Sequence, residues 1–125
     1  MIQANELRIG NYYIDITDEL RELSGYELWQ MTVKENKGNL GIMEYQPVPI
    51  TQQRLIDLGF EDIGGHEYIL GNALMLDNAY TDKGVWNFVY ENSYITEFNY
   101  IHQLQNLYFA ITGKELIKQK PASNR

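Results

Sequence analysis

The feature that most constrains the fold is a pair of alternating apolar segments in the second half of the chain. Trp86, Phe88 and Tyr90 occupy every other position, and residues 94–98 repeat the alternation with Tyr, Thr and Phe. A period of two places such side chains on one face of an extended strand. Asn92-Ser93 between the segments is typical of a hairpin turn. The pattern therefore predicts two adjacent antiparallel strands.

Shorter segments of the same kind precede this hairpin. Residues 67–70 and 73–76 are rich in aliphatic residues and flank Gly71-Asn72, and residues 81–84 read as a further turn. Together with the hairpin they predict a β-meander.

Two helices are expected, one on each side of the meander. The first begins after Thr51 as N-cap and ends at Gly59, with Phe60 folding back as in a Schellman motif. The second lies between Asn99, a possible cap, and Gly113. Its apolar stripe consists of Ile101, Leu104, Leu107, Tyr108 and Ile111.

The N-terminal half alternates mostly with period two, which favours strands over residues 11–16, 26–33 and 40–45. Residues 34–39 then form a hairpin loop. Residues 17–25 fit either a helical turn or a ragged strand and loop.

The expected fold is α+β: a small bent antiparallel sheet or SH3-like partial barrel, a short helix, a β-meander, and a C-terminal amphipathic helix packed on a sheet. Residues 1–113 are expected to form one globular domain, with a strand-rich part over 1–50 and the helix, meander and helix over 51–113. Residues 114–125 are expected to form a mobile basic tail, in which Leu116-Ile117 add a last strand or packing contact.

Charge argues against nucleic acid as a partner. Residues 1–113 carry sixteen carboxylates against six Lys and Arg side chains, whereas residues 114–125 carry four basic side chains against one Glu. An acidic body repels phosphate backbones and anionic lipid. The chain has no Cys, which excludes disulfides and thiolate-bound metals. The sequence shows no leader or membrane span, so we expect a cytoplasmic protein.

No motif of a known catalytic site is present. The two histidines, His66 and His102, have no second His at metal-binding spacing. Glu61, Asp62, His66 and Glu67 could converge on a divalent ion, but a polar turn explains them better. We therefore expect a protein that is not an enzyme and needs no cofactor or metal.

Aromatic side chains remain as candidates for binding, because ten Tyr and two Trp exceed what one small core needs. The helix between Asn99 and Gly113 adds an uncharged, amide-rich face, which fits either solvent exposure or an interface. Adjacent Tyr12 and Tyr13 must face opposite ways in a strand. The candidate interaction surface consists of Tyr12, Tyr13, Trp86, Phe88, Tyr90, His102, Gln103, Gln105 and Asn106.

Three segments carry a family resemblance: NELRIGNYY (5–13), PVPITQQRLIDLGF (47–60) and YIHQLQNLYFAITGKEL (100–116). They resemble a family of small uncharacterised proteins of Bacteroidota phages, prophages and mobile elements. That family often has acids and an aromatic where this chain has Gln52, Gln53 and Arg54. The resemblance implies a phage or mobile-element origin, hence a host-cell cytoplasmic location, and no assigned activity.

These observations favour a non-enzymatic interaction module that binds a host or phage protein, with homo-oligomerisation as one form of that binding. An anti-defence sponge that stacks aromatics on a nucleotide-type ligand is an alternative. So is an acidic mimic of DNA that binds a basic host protein, with salt-sensitive affinity.

Overall fold

The computed structural model describes residues 6–15, 17–36, 46–78 and 84–119, and these confirm an α+β fold. They group into two compact units. Unit 1 contains the described residues up to Pro49 together with residues 100–115, and unit 2 contains residues 50–99 together with those from 116 onwards. Unit 1 holds a two-stranded sheet, and unit 2 holds a five-stranded antiparallel sheet.

Unit 1 begins with a short hairpin. Strand β1 (Tyr12–Ile14) pairs antiparallel with β2 (Leu20–Glu22), so that Tyr13 lies opposite Arg21. The predicted strand over 11–16 is therefore confirmed in its central part. Of the two open readings for residues 17–25, the structure shows the strand and loop. The core of this unit comprises Leu7, Tyr13, Leu23 and Met31, with Leu28 packed against it.

A helix follows where the sequence suggested a strand. Residues 26–33 were expected to be extended, but they lie within α1 (Gly25–Asn36). Ser24 and Glu27 explain the difference, because they form a reciprocal capping box: Ser24 N donates to Glu27 Oε1 (2.9 Å), and Glu27 N donates to Ser24 Oγ (3.2 Å). Leu23 and Leu28 stand at the two positions of a hydrophobic staple.

The small antiparallel sheet expected over 1–50 is present as the two-stranded sheet of the described part of this region, where α1 takes the place of one expected strand. That part contains one hairpin and a 12-residue helix. The predicted loop over 34–39 starts inside α1, and the remainder of that loop lies outside the described residues, as does the expected strand over 40–45. Gln46 pairs with Ile14 through an isolated antiparallel bridge.

Helix α3 (Ile101–Thr112) completes unit 1 and packs on β1. Its N-cap is Tyr100 rather than the expected Asn99, and the Gln103 side chain accepts from Tyr100 N (3.2 Å). Gly113 adopts the left-handed conformation that ends the helix, as predicted. Within the described ranges, no helix is long and apolar enough to cross a bilayer.

Unit 2 opens with α2 (Gln52–Asp57), which matches the expected short helix. Thr51 Oγ1 accepts from Arg54 N (3.2 Å). At the other end Phe60 N donates to Leu55 O (3.0 Å), while Gly59 has a φ of +101°. The predicted N-cap and the Schellman ending are both confirmed.

The five strands of unit 2 follow one another as neighbours in a meander, as expected. Strand β3 (Glu61–Gly64) lies where the sequence predicts part of a polar turn. A two-residue turn, Glu91-Asn92, one residue before the predicted Asn92-Ser93, joins β6 (Trp86–Tyr90) to β7 (Ser93–Phe98), and both of its residues have positive φ, as in a type I′ hairpin. The expected turn at 81–84 lies mostly outside the described residues. The strands are β3 (Glu61–Gly64), β4 (Glu67–Leu70), β5 (Leu74–Asp77), β6 (Trp86–Tyr90) and β7 (Ser93–Phe98).

After Glu115 the chain joins unit 2. Leu116 is buried, and Gln119 N donates to Asp57 O (2.7 Å) at the end of α2. The first part of the expected tail is thus anchored, in line with the alternative of a last packing contact. Residues 120–125 lie outside the described part of the chain.

Candidate functional site

Most aromatic side chains of the predicted interaction surface lie in the interior. Tyr13 is buried in unit 1, and Trp86 and Phe88 are buried in unit 2, while Tyr12 and Tyr90 are half-buried. The reason is that Trp86 and Phe88 point to the inner face of the five-stranded sheet. There Trp86 packs on Tyr68 (ring centroids 5.7 Å apart), and Phe88 packs edge-on against Phe98 (6.3 Å). Tyr13, Trp86 and Phe88 are therefore core residues and cannot form a binding surface.

The amide-rich face of α3 also proves to be internal. Gln105 is fully buried and Gln103 and Asn106 are half-buried. Gln105 Oε1 accepts from Tyr12 N (2.9 Å) and Asn11 Nδ2 (3.3 Å), and Gln105 Nε2 donates to Gly10 O (3.2 Å). The side chain thus binds the backbone just before and within β1 as another strand would. This face therefore matches neither open interpretation, since it is neither exposed to solvent nor available to a partner but packs within unit 1.

Arg8 extends this network to the end of α3. Its guanidinium donates to Asn106 Oδ1 (2.8 Å) and Gln105 O (3.2 Å), and it forms an ion pair with Glu115 (3.0 Å). The same group stacks over the Phe109 ring at 4.3 Å from its centroid. Arg8 is therefore occupied in holding the N-terminal segment on α3.

His102 is the one buried titratable group of α3. Its Nε2 lies 3.3 Å from Glu6 Oε1, and its ring stacks on Tyr100 (6.0 Å, 9° between planes). Burial lowers the pKa of His102, although the Glu6 carboxylate acts in the opposite direction. Nδ1 is buried and has no hydrogen-bond partner among the described residues. Because its pKa is lowered, His102 is a neutral imidazole at pH 7. Since it is also buried, it cannot belong to the candidate interaction surface.

Two carboxylates act as structural hydrogen-bond acceptors. Asp15 accepts from Thr17 Oγ1 and N, from Glu19 N and from Arg21 Nε, and these bonds hold the pKa of Asp15 well below its usual range. Partial burial raises the pKa of Glu27, but bonds from Tyr13 Oη (2.6 Å) and the Ser24 cap outweigh it and lower that pKa. Both groups are ionised at neutral pH and suit no role as a general acid.

The acidic residues around His66 do not assemble into a metal site. Glu61 and Asp62 lie in the edge strand β3, Glu67 lies in β4, and His66 lies in the turn between them. Asp62 Oδ1 accepts from Gly64 N (2.9 Å), which closes a local turn. Across the described ranges, no group of three or more His, Asp or Glu side chains is placed to hold a metal ion.

An exposed aromatic pair on α1 was missed by the sequence reasoning. Tyr26 is 66% exposed and Trp29 is 58% exposed, and their rings pack at 6.0 Å between centroids. Ile9 is 60% exposed and packs next to the first residue of α1. Its Cδ1 lies 3.3 Å from the point where a Cβ would stand if Gly25 were alanine. We call Ile9, Tyr26 and Trp29 the α1 aromatic surface. The capping box at Ser24 was the sequence signal that a helix begins at Gly25. In a helix, Tyr26 and Trp29 are three residues apart and so lie on one face.

Compared with protein-family models, with curated proteins and with solved structures, the chain matches none of them.

Proposed function

We propose that this protein is a non-enzymatic interaction module and that its α1 aromatic surface binds another protein. The observation that carries the proposal is the exposure of Tyr26 and Trp29 on a capped helix. Large aromatic side chains normally leave water on folding. Trp and Tyr are also the residues that most often contribute about 2 kcal/mol or more to a protein interface.

The pair is already ordered for binding. Gln30 Nε2 donates to Tyr26 Oη (3.1 Å), and the Tyr26 and Trp29 rings support each other. Below them α1 is fixed by its cap and by Met31 in the core. A partner would therefore not have to immobilise these side chains, and the entropic cost of binding falls accordingly.

Charge next to this surface indicates the chemistry of the partner. Glu19 and Glu22 are exposed on the segment that leads into α1, where Arg21 pairs with Asp15 and, at 4.0 Å, with Glu19. The complementary surface is an apolar pocket with a Lys or Arg rim, and an Arg guanidinium can stack on Trp29. A second copy would bring the same carboxylates opposite each other, so we favour a different protein over a homo-oligomer. The resemblance to phage proteins suggests a host or phage protein as that partner.

The two alternatives draw less support from the geometry. Trp86 and Phe88 are core residues and are not available for stacking on a nucleotide, so a ligand sponge would need other aromatics. A protein that binds by acidic mimicry of DNA would not need the exposed α1 aromatic surface. We therefore retain the interaction module as the proposed function.

The test compares capture of host proteins by the full chain and by the double variant Tyr26→Ser/Trp29→Ser. Ile117→Ser is the matched control, because Ile117 is 47% exposed in unit 2 and lies outside both the α1 aromatic surface and the five-stranded sheet. A protein retained by the wild-type chain and by Ile117→Ser should be lost with the double variant. That protein is then purified, and isothermal titration should show at least about a hundredfold weaker binding to the double variant. Equal binding by the double variant, or a wild-type chain that dimerises through Trp29, would refute the proposal.

A further inference from the structure

The outer face of the five-stranded sheet carries a continuous apolar row. The register places Ile69 opposite Met75, Met75 opposite Val89, and Val89 opposite Tyr94. The first three side chains are half-buried, and Tyr94 is 59% exposed. Ile95 follows at the β-bulge of β7 and is 44% exposed. Cross-strand neighbours on one face contact each other, so these residues form one strip across four strands.

A second row on the same face is polar and mostly acidic. Glu67 lies opposite Asp77, Asp77 opposite Asn87, and Asn87 opposite Glu97. The sequences of the five strands contain no Lys or Arg. Carboxylates at both ends of this row, Glu67 and Glu97, give it a negative charge that favours a cationic partner.

The remaining described elements of unit 2 pack on the inner face. A Cβ on Gly59 would lie 3.5 Å from Leu70 Cδ1 and 3.3 Å from Gln119 Cγ. Leu70 shares its strand face with Tyr68, which faces the aromatic core. The end of α2 and the segment at Gln119 therefore lie on the side opposite the two rows.

We propose that this outer face docks a basic amphipathic helix of a partner protein. The apolar row crosses four strands, about 14 Å at about 4.8 Å per strand, which about ten residues of a helix span. The acidic row lies roughly 7 Å away, two residues along each strand. A helix lying across the strands would set its apolar stripe on Ile69, Met75 and Val89, and Lys or Arg on one flank would meet Glu67 and Glu97. A second copy of this sheet face would bring the same acids together, so charge selects a basic partner.

The probe is a fluorescein-labelled 18-residue Leu/Lys peptide with a helical apolar stripe, and its counterpart has Glu in place of each Lys. Fluorescence anisotropy with the full chain should show binding of the Leu/Lys peptide alone. Met75→Lys should weaken this binding at least tenfold. Tyr94→Lys, at a more exposed position, should also weaken it and provides the result if Met75→Lys does not fold. Urea unfolding of each variant establishes that it is folded.

Matched charge variants separate docking from general attraction between opposite charges. Glu67→Gln/Glu97→Gln should weaken binding about tenfold and reduce its salt dependence. Asp18→Asn/Glu91→Gln removes the same charge at exposed turn residues elsewhere and should bind as the wild-type chain does. Equal losses in the two double variants, or full binding by both apolar-row variants, would overturn the inference. Tyr26→Ser/Trp29→Ser should leave peptide binding unchanged, so this surface and the α1 aromatic surface can fail independently.

Discussion

Replacing Gln105 with Leu tests whether the amide face of α3 holds unit 1 together. The change keeps the size of a fully buried side chain and removes three hydrogen bonds, to Tyr12 N, Asn11 Nδ2 and Gly10 O. Each such bond contributes about 1 kcal/mol net, and the added apolar burial offsets about 1 kcal/mol of the loss. We expect the free energy of unfolding to fall by about 2–3 kcal/mol, out of about 5–15 kcal/mol for a typical domain. The folded-to-unfolded ratio then drops by a factor of about 30 to 160.

Urea unfolding measures this loss, and the two tryptophans allow the two units to be observed separately. Trp29 lies in unit 1 and Trp86 in unit 2, so a Trp86→Phe background reports on unit 1 alone. With a denaturant dependence of about 1.5–2 kcal/mol/M, the midpoint should fall by roughly 1–2 M. Gln103→Leu is the control, because it makes the same change at a half-buried neighbour whose side chain accepts the cap bond from Tyr100 N at the exposed start of α3. A Gln105→Leu midpoint no lower than that of the control would refute the reasoning.

Three further changes test local parts of the fold. Ser24→Ala removes the N-cap of α1 and should cost about 1 kcal/mol in urea unfolding; an unchanged midpoint would show that the capping box is not needed. Gly59→Ala places a Cβ at a φ of +101° and 3.3 Å from Gln119 Cγ, so the midpoint of unit 2 should fall by the equivalent of about 1–2 kcal/mol. Burial lowers the pKa of His102 below its ordinary 6.5. Just below pH 6.5 the histidine is therefore protonated in the unfolded chain but remains neutral in the folded chain. Stability should therefore be full above pH 6.5 and decline as the pH falls below it, and His102→Gln should remove that part of the decline; an identical pH profile in the variant would contradict this assignment.

The sequence predicted correctly those helices and strands that are bounded by clear capping or turn residues. Thr51 and Gly59 bound α2 because a hydroxyl cap and a left-handed residue determine the backbone without help from distant residues. The meander was predictable for the same reason, since its short turns restrict which strands can pair. Strand β3 was missed because Glu61–Gly64 contains two acids and a Gly, and only pairing with β4 makes it extended.

Helix α1 could not be recognised from apolar periodicity. The exposed positions Tyr26 and Trp29 are as hydrophobic as the buried Met31, so the helix lacks the contrast between faces that a 3.6-residue period requires. The alternation of Trp29, Met31 and Val33 then imitates a strand. The missing contrast is itself informative, because it arises where a helix carries large apolar side chains on its solvent side.

The sequence predicted that the candidate site contains aromatic residues, but it did not predict which ones. An excess of aromatic residues indicated that some of them serve binding, but the faces to which they belong depend on strand register and on packing. Composition alone could not show that Phe88 fills the core while Trp29 remains exposed.

Polar contacts within unit 1 join two segments that are far apart in the chain. ELRIGN (6–11) and HQLQN (102–106) bond directly to each other through Arg8–Asn106 and Asn11–Gln105. A polar group left without its partner in a buried site costs about 1–3 kcal/mol, so each segment stabilises the other within unit 1. These contacts thus give the polar side chains of both segments a role in stability. The binding function we propose accordingly rests on residues outside these contacts, on Tyr26 and Trp29.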